Sequence, residues 1–491
     1  MSIFLTKTQF LQANQCLKAI WLQVHQPELA APFDTHSQAI MAEGREVEYA
    51  AHRLFPNGKL ISNESNSLDL QLELTQEELK SGTRTIFEPA FKYQNIFVRS
   101  DILNRVGNSY ELLEIKSSSS LKRIFFTDMA IQYYVLKNSG LDIRKMKLIH
   151  INTAYIRNKK LDLDELFEIK DITGEAHLRL DKIIDKLEQV QIIINGKKPN
   201  IQIGPHCNNP YECRFKAHCW QDIPEYSVFN LANTKSEHKF TLYRKNILEI
   251  KDVPKEYPLQ KNAYLQVICE KTGQEIISQN DIANFLSKLS YPLCFLDFES
   301  FQKAIPPFEN TKPYQQIPFQ YSLHVQNSPG SEPEHFEFIG NPGEDPRDKL
   351  IKQLTTDIPI NACVIGYGSF EKQIIVTLAN QFPNFAPILN RISASLIDLM
   401  HVFQKKYYYS KEMKGSYSIK NVLPALVPEL SYDNLAIRNG GTANQAYASL
   451  SEISDPAESD QKKKQLLEYC KLDTLAMVKI VDKLRSKVPG T

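Results

Sequence analysis

The sequence has almost no net charge. Its 58 lysines and arginines stand against 57 aspartates and glutamates, leaving +1. That balance excludes a chain that gathers polyanions by bulk charge, so any positive groove has to be local. It lacks any apolar run near the roughly 18 residues of a membrane span, and no membrane association is expected. The opening residues, MSIFLTKTQFLQANQC, lack the charged-then-apolar order of a secretion signal, which makes a cytoplasmic location the expectation. There is no internal repeat and no long low-complexity tract; Ser117 to Ser120 is too short a run to count. Eight cysteines in a cytosolic chain argue against a disulfide framework. What remains is an ordinary globular composition, 42% hydrophobic and 23% charged over 491 residues, enough for two or three buried cores.

Organisation along the chain is α/β and multidomain. Residues 1–222 read as mixed helix and strand closing on a cluster of cysteines. Residues 223–288 are polar, with short helical patterns near Leu242–Ile250 and Asp281–Leu286, and read as a connector or small subdomain. From 289 to 491 a strongly apolar strand opens a second α/β pattern that ends in a helix around Lys463–Leu484.

The segment NIFVRSDILNRVGNSYELLEIKSSSS reads as a hairpin turning on Gly107-Asn108. Opposing partners then sum to 215, so Asp101 faces Glu114, and Lys116 shares the face of Glu114. Two facing carboxylates repel unless something lies between them; a divalent cation, Mg²⁺ or Mn²⁺, serves. A neighbouring lysine orients water or steadies charge on a phosphate. The bland alternative is a solvent-facing hairpin with common surface charges. Upstream, Glu48 lies in a helical GREVE stretch. Downstream, LKRIFFTDMAIQYYVLKNSG reads as a helix ending at Gly140, with Asp128 and Gln132 one turn apart.

This order of acid, Asp, Glu-x-Lys and helical Gln resembles the RecB-like branch of the PD-(D/E)xK nucleases, with a restriction-endonuclease-like α/β/α core. The resemblance implies that Glu48, Asp101, Glu114 and the Ile115 carbonyl hold the metal, that Lys116 acts on water or phosphate, and that Gln132 supports the site. One departure is Leu136, where the family often has Tyr.

Cys207, Cys213 and Cys219 stand at two equal five-residue gaps in GPHCNNPYECRFKAHCW. Three ligands leave a tetrahedral thiolate site one short, and Cys16 is the other cysteine before the connector. One early and three late cysteines resemble the iron–sulfur PD-(D/E)xK exonucleases, including CRISPR-associated RecB-like enzymes. There a 4Fe–4S cluster staples the domain, though the usual late spacing is two then five. Zn²⁺, with His206 or His218 replacing a thiolate, and unliganded buried cysteines are the alternatives.

PLCFLDFES is a near-continuous apolar run interrupted by Asp297 and Glu299, which share one face of a strand. Burying two acids there without a cation is costly. In the last helix Tyr469 and Asp473 lie four apart, and Asp473 shares the stripe of Leu466, Met477 and Leu484, so it points inward. Glu371 opens a helix after a strand, and Asp398 follows in SLIDLM. The pattern resembles the tyrosine subtype of the DEDD exonucleases, of DnaQ and RNase H-like fold with a mixed sheet. That implies two divalent cations, Mg²⁺ or Mn²⁺, on Asp297, Glu299, Glu371 and Asp473, with Tyr469 orienting water. The family normally has Asp where Glu371 stands, which leaves Asp398 as a substitute. The tandem layout as a whole resembles an uncharacterised bacterial two-nuclease family.

Further substrate contacts are open at Lys420, at Gln320 and Tyr321, and in the loop of Lys405, Lys406 and Tyr407 to Tyr409, which mixes cations with stacking aromatics. The resemblances together imply a nuclease cleaving DNA at single-stranded ends, in repair or antiviral defence. The alternatives are an RNA-processing 3′–5′ exonuclease and a non-catalytic nucleic-acid-binding adaptor. Protein partners are unknown from sequence.

Overall fold

The computed structural model describes residues 5–61 and 67–488. It is a mixed α/β chain with several mixed sheets and two compact units, one of Met1–Asp222 with Lys303–Gln315, the other of Ile223–Gln302 with Gln316–Thr491. Among the described residues no helix is long and apolar enough to cross a membrane.

In the first unit, helices α1 (Lys7–Gln15), α2 (Leu17–His25) and α3 (Thr35–His52) lead into a six-stranded sheet. Its strands are β1 (Lys59–Leu60), β2 (Thr85–Phe87), β3 (Ile102–Val106), β4 (Ser109–Lys116), β5 (Ile143–Ile151) and β6 (Phe167–Asp171), side by side in chain order. β3 and β4 form the hairpin, running from Ile102 opposite Leu113 to Val106 opposite Ser109. That is the register the Gly107-Asn108 turn predicts, and Gly107 takes the positive φ of 62° the turn requires. Between β4 and β5 runs α4 (Arg123–Asn138), whose apolar side chains Phe125, Met129, Ile131, Val135 and Leu136 are buried. A second small sheet pairs Leu5–Thr6 in parallel with Ile96–Arg99, which pairs antiparallel with Ala90–Tyr93. Thr6 then caps α1 by accepting from the Gln9 N–H, which fixes where Lys7 enters. α5 (Leu180–Asn195) packs its buried Ile183, Leu187, Val190 and Ile194 inward.

In the second unit the sheet order is β9-β8-β7-β10-β11, from β7 (Leu293–Phe301), β8 (Ile317–Gln326), β9 (Glu334–Ile339), β10 (Cys363–Gly366) and β11 (Leu396–Asp398). β8 runs antiparallel to β7 and β9; β10 runs parallel to β7 and to β11. A central strand covered on both faces needs apolar side chains on both, and Leu293 to Leu296 are all fully buried. Helices α6 (Phe370–Gln381) and α8 (Pro456–Ser486) pack against β7, and α7 (Ile419–Leu426) packs on α8.

The polar stretch after residue 222 belongs to the second unit and has a small core of its own, Val228, Leu231, Leu242, Ile250, Val253, Ala263 and Val267. Its helices lie at Ser236–Arg244, Lys261–Thr272 and Gln279–Leu286. The first ends earlier than the pattern near Leu242–Ile250 suggests, because Asn246 turns left-handed at φ 58°.

Candidate functional site

Three groupings of the sequence-chosen residues are brought together. In the first unit Asp101 stands just before β3, and its Oδ2 accepts the Ile115 N–H at 2.6 Å. The hairpin thus ties Asp101 to β4 one residue past Glu114. Glu114 is buried, and both its oxygens are held: Oε1 by Lys116 at 2.6 Å and Lys7 at 2.9 Å, Oε2 by the Gln132 amide at 2.8 Å. Lys116 and Gln132 also donate to Asp128, at 2.9 and 3.0 Å. Glu48, on α3, lines an open cleft with Lys7, Glu88, Arg99 and Asp101.

The electrostatics follow from crowding. Burial, then Asp101 and Glu88, push the Glu48 carboxyl up to about 8. Burial also raises Asp101 against the pull of Lys7 and Lys116, and it lifts Glu114 to about 6, aided by Asp101 and Asp128. Asp128 behaves oppositely: burial resists its charge, but Lys116 and Lys7 prevail and hold it below the ordinary carboxylate range. Lys7 and Asp128 are the members that motif reasoning left out. Asp128 was visible on the face of Gln132, but nothing in TKTQF pointed to a contact across 107 residues.

Cys16, Cys207, Cys213 and Cys219 line one pocket, together with His206, Phe215 and Lys18; His218 is not among its lining residues. All eight cysteines of the chain are free. Local geometry closes the pocket: the Cys213 N–H donates to the Cys207 carbonyl, and the Gln15 amide donates to the carbonyls of His206 and Tyr211. Burial, with the neighbouring Cys16, Cys207 and Cys219, raises the Cys213 thiol to about 11.

In the second unit Asp297, Glu299 and Asp473 offer ligand atoms within 4.8 Å of one another. Among the described residues no other set of three His, Cys, Asp or Glu meets that separation. The alternation of β7 puts the first two on one face, and the apolar stripe of α8 turns Asp473 inward, where it is 6% exposed. Burial and Asp473 raise Glu299 to about 8; burial with Asp473, Glu299 and Glu371 raises Asp297 well above its ordinary range. Asp473 reaches about 6, burial being offset by a 2.6 Å hydrogen bond from Tyr432 and by Lys420. Tyr469 lies one turn before Asp473, and the Lys420 ammonium sits 5.1 Å from its ring centre. The Cys470 thiol donates to Asp297 Oδ2 at 3.2 Å. Tyr432 and Cys470 were not singled out from sequence; neither stands in a spacing that marks it.

Glu371 and Asp398 separate by their partners. Asp398 Oδ1 accepts the N–H groups of Gly368 (2.8 Å) and Met400 (2.9 Å), closing the turn after β10. Glu371 is 2% exposed, and its Oε2 has no hydrogen-bond partner. It lies near enough to Asp398 and Asp473 for burial and their charges to raise it to about 7.

The other suggested substrate contacts lie largely in the interior. The Gln320 amide donates to the Leu466 carbonyl, and Tyr321 is fully buried with its hydroxyl on Asp357. Tyr408 and Tyr409 are fully buried and pair with Ile276–Ile277, while the Lys406 ammonium lies 3.3 Å from the Tyr409 ring centre. Lys406, Tyr408 and Tyr409 are thus core, drawn inward by strand pairing, while Lys405 is exposed and Tyr407 half-buried.

Residues 294–418 match the model of a domain of unknown function, DUF2779, a span that takes in Asp297, Glu299, Glu371 and Asp398. The chain is 27% identical over 238 residues to the uncharacterized protein MG366 homolog of Mycoplasma pneumoniae, covering 44% of this chain and 35% of that protein. It is 25% identical over 224 residues to uncharacterized protein MG366 of Mycoplasma genitalium, covering 41% and 33%. The chain therefore spans about a third of the length of these curated relatives.

Proposed function

We propose that this chain is a metal-dependent nuclease that hydrolyses phosphodiester bonds of DNA, acting exonucleolytically on single-stranded ends. Its first unit is read as an iron–sulfur-stapled PD-(D/E)xK domain, its second as a DEDD-type domain of RNase H-like fold. The observation that carries this reading is the Asp297, Glu299 and Asp473 group, with ligand atoms within 4.8 Å. Like charges that close repel by several kcal/mol at about ε 20, so a bare ionised cluster is a poor fold and a good receptor for hard cations. Glu371 adds a fourth buried carboxylate with a free oxygen.

Two divalent cations bound there supply Lewis-acid stabilisation of the entering and leaving oxygens of an in-line displacement at phosphorus. Asp297, Glu299, Asp473 and Glu371 would hold them. Burial beside three acids keeps the Tyr469 phenol protonated, so it orients a water lone pair as a donor. Lys420, beside the Tyr469 and Tyr432 rings and donating to the Arg438 carbonyl, would supply a cation to a substrate phosphate. A central strand between antiparallel and parallel neighbours supports the RNase H-like reading of the sheet.

In the first unit Glu48, Asp101, Glu114 and the Ile115 carbonyl would hold a cation, with Lys116 acting on water or phosphate and Gln132 fixing Glu114. The shared pocket of Cys16, Cys207, Cys213 and Cys219 supports a staple. One zinc with sulfurs at about 2.3 Å sets them about 3.8 Å apart. Four thiolates suit a 4Fe–4S cluster as well as Zn²⁺, and the resemblance to the iron–sulfur nucleases prefers the former.

The test compares wild type, Glu114→Ala, Asp297→Ala and the double variant on end-labelled single- and double-stranded DNA and RNA with Mn²⁺ or Mg²⁺. Loss of Asp297 is expected to slow cleavage by about 100-fold or more at that site. A double variant that degrades every substrate as fast as wild type defeats the assignment.

A further inference from the structure

Lys7 belongs to none of the nuclease motifs, yet its ammonium sits inside the first site, 2.9 Å from Glu114 Oε1 and 3.4 Å from Asp128 Oδ1. Glu114 Oε1 is a shared acceptor, because Lys116 donates to the same atom at 2.6 Å. Two ammonium groups on one oxygen repel each other, so one of the two contacts is the weaker. Lys116 has an independent hold on Asp128 Oδ2 at 2.9 Å; the Lys7 contact to Asp128 is longer. Lys7 also lines the open cleft beside Glu48 and Asp101, and Lys116 does not. A cation in that cleft therefore lies against Lys7 as well as the two carboxylates.

The charge count points the same way. Once a cation displaces the proton that burial and its acidic neighbours keep on Glu48, the carboxylates Glu48, Asp101, Glu114 and Asp128 against Lys7 and Lys116 leave two negative charges, the complement of one divalent cation. Asp128, held below its ordinary range by both lysines, stays ionised throughout.

We propose that Lys7 is a built-in counter-ion. It holds Glu114 while the site lacks a cation, yields that oxygen when a divalent cation binds, and then presents its ammonium to a substrate phosphate in the cleft. Asp128 is the positioning residue that retains Lys116 during the exchange. This inference rests on the nuclease reading of the same site.

The experiment uses the full chain carrying Asp297→Asn and Asp473→Asn, so that Mn²⁺ titration by electron paramagnetic resonance and calorimetry reports the first site. In that background Lys7→Met is expected to bind Mn²⁺ about tenfold tighter or more, since a unit charge a few ångströms away is worth over one factor of ten in a half-buried site. Lys7→Arg keeps the charge and the parent affinity. Lys7→Met is also expected to raise KM for a labelled oligonucleotide, opposite in sense to its gain in metal affinity. Thermal melting checks that each variant folds, with Lys7→Gln as the second neutral variant. Folded neutral variants that bind Mn²⁺ no tighter than the parent overturn the proposal and leave Lys7 a structural ion pair. A parent that binds no Mn²⁺ at all overturns the proposal together with the metal reading of the first site, which is a distinct result.

Discussion

Replacing Glu299 by glutamine should stabilise the cation-free protein while destroying its site. An ordinary glutamate titrates near 4.5; burial beside Asp473 lifts Glu299 to about 8. Each tenfold in proton affinity is about 1.4 kcal/mol. Between those two values the folded chain binds a proton that the unfolded chain has released, so stability falls as pH rises. The contribution of Glu299 is intact below about pH 4.5 and lost as pH climbs through about 8. At pH 7 the accumulated cost is about 3 kcal/mol, and at pH 8 about 4 kcal/mol. Glutamine has nearly the same shape and no charge, and escapes that cost. For a unit of this size 1 kcal/mol moves Tm by roughly 2–4 °C, so Glu299→Gln should melt about 8–16 °C higher than wild type at pH 8 in a chelator. At pH 4.5 the two should coincide. Saturating Mn²⁺ should reverse the order at pH 8, because only wild type gains binding energy. Calorimetry across pH 4.5–8 with and without Mn²⁺ measures all of this. If Glu299→Gln has no advantage at pH 8 in chelator, the carboxylates do not repel one another as argued and the cation reading loses its main support.

Other outcomes are as definite. Cys213→Ser should abolish visible absorbance from the proposed cluster and lower first-unit stability by roughly 5 kcal/mol, the worth of closing a loop of about 190 residues; unchanged absorbance and melting would sink the staple. Asp128→Asn leaves Lys7 and Lys116 short of a partner and should cost about 3–5 kcal/mol at neutral pH. Because Asp128 is held below its ordinary range, that difference should shrink as pH falls below about 4, which a pH series of melting curves checks. Gly366→Ala would put a Cβ 2.7 Å from Glu371 Oε2; it should displace that carboxylate and weaken second-unit Mn²⁺ binding, measured by calorimetry, whereas unchanged binding would remove Glu371 from the site.

The parts of the site that were legible in the sequence are those built by one element's own periodicity. The register that brings Asp101 beside the Glu114–Ile115 end of β4 follows from a turn pair and a strand period of two, and the inward aim of Asp473 from a helical stripe. Lys7 reaches Glu114 because Leu5–Thr6 adds in parallel to Ile96–Arg99, a pairing no local pattern announces. Tyr432 reaches Asp473 from a turn with no period at all. The tyrosines at 408 and 409 misled for the complementary reason: their composition suits an exposed binding loop, but two residues at Ile276–Ile277 recruit them into a sheet.

The choice between Glu371 and Asp398 shows where chemistry outruns pattern. Both are acids near the ends of parallel strands, and the sequence offers no reason to prefer the shorter or the longer side chain. The decision lies with backbone groups. The N–H groups of Gly368 and Met400 both need an acceptor at the turn after β10, and Asp398 Oδ1 supplies it. Those two bonds fix the Asp398 carboxylate in the turn by its Oδ1, whereas Glu371 keeps an unpartnered oxygen in the interior. The extra methylene that sets Glu371 apart from the expected aspartate is accommodated by Gly366, whose missing side chain leaves the space the carboxylate fills. The unusual residue and the glycine are thus one feature, and a Glu371→Asp variant should bind cations worse than wild type, since shortening the side chain withdraws the carboxylate from the group around Asp473.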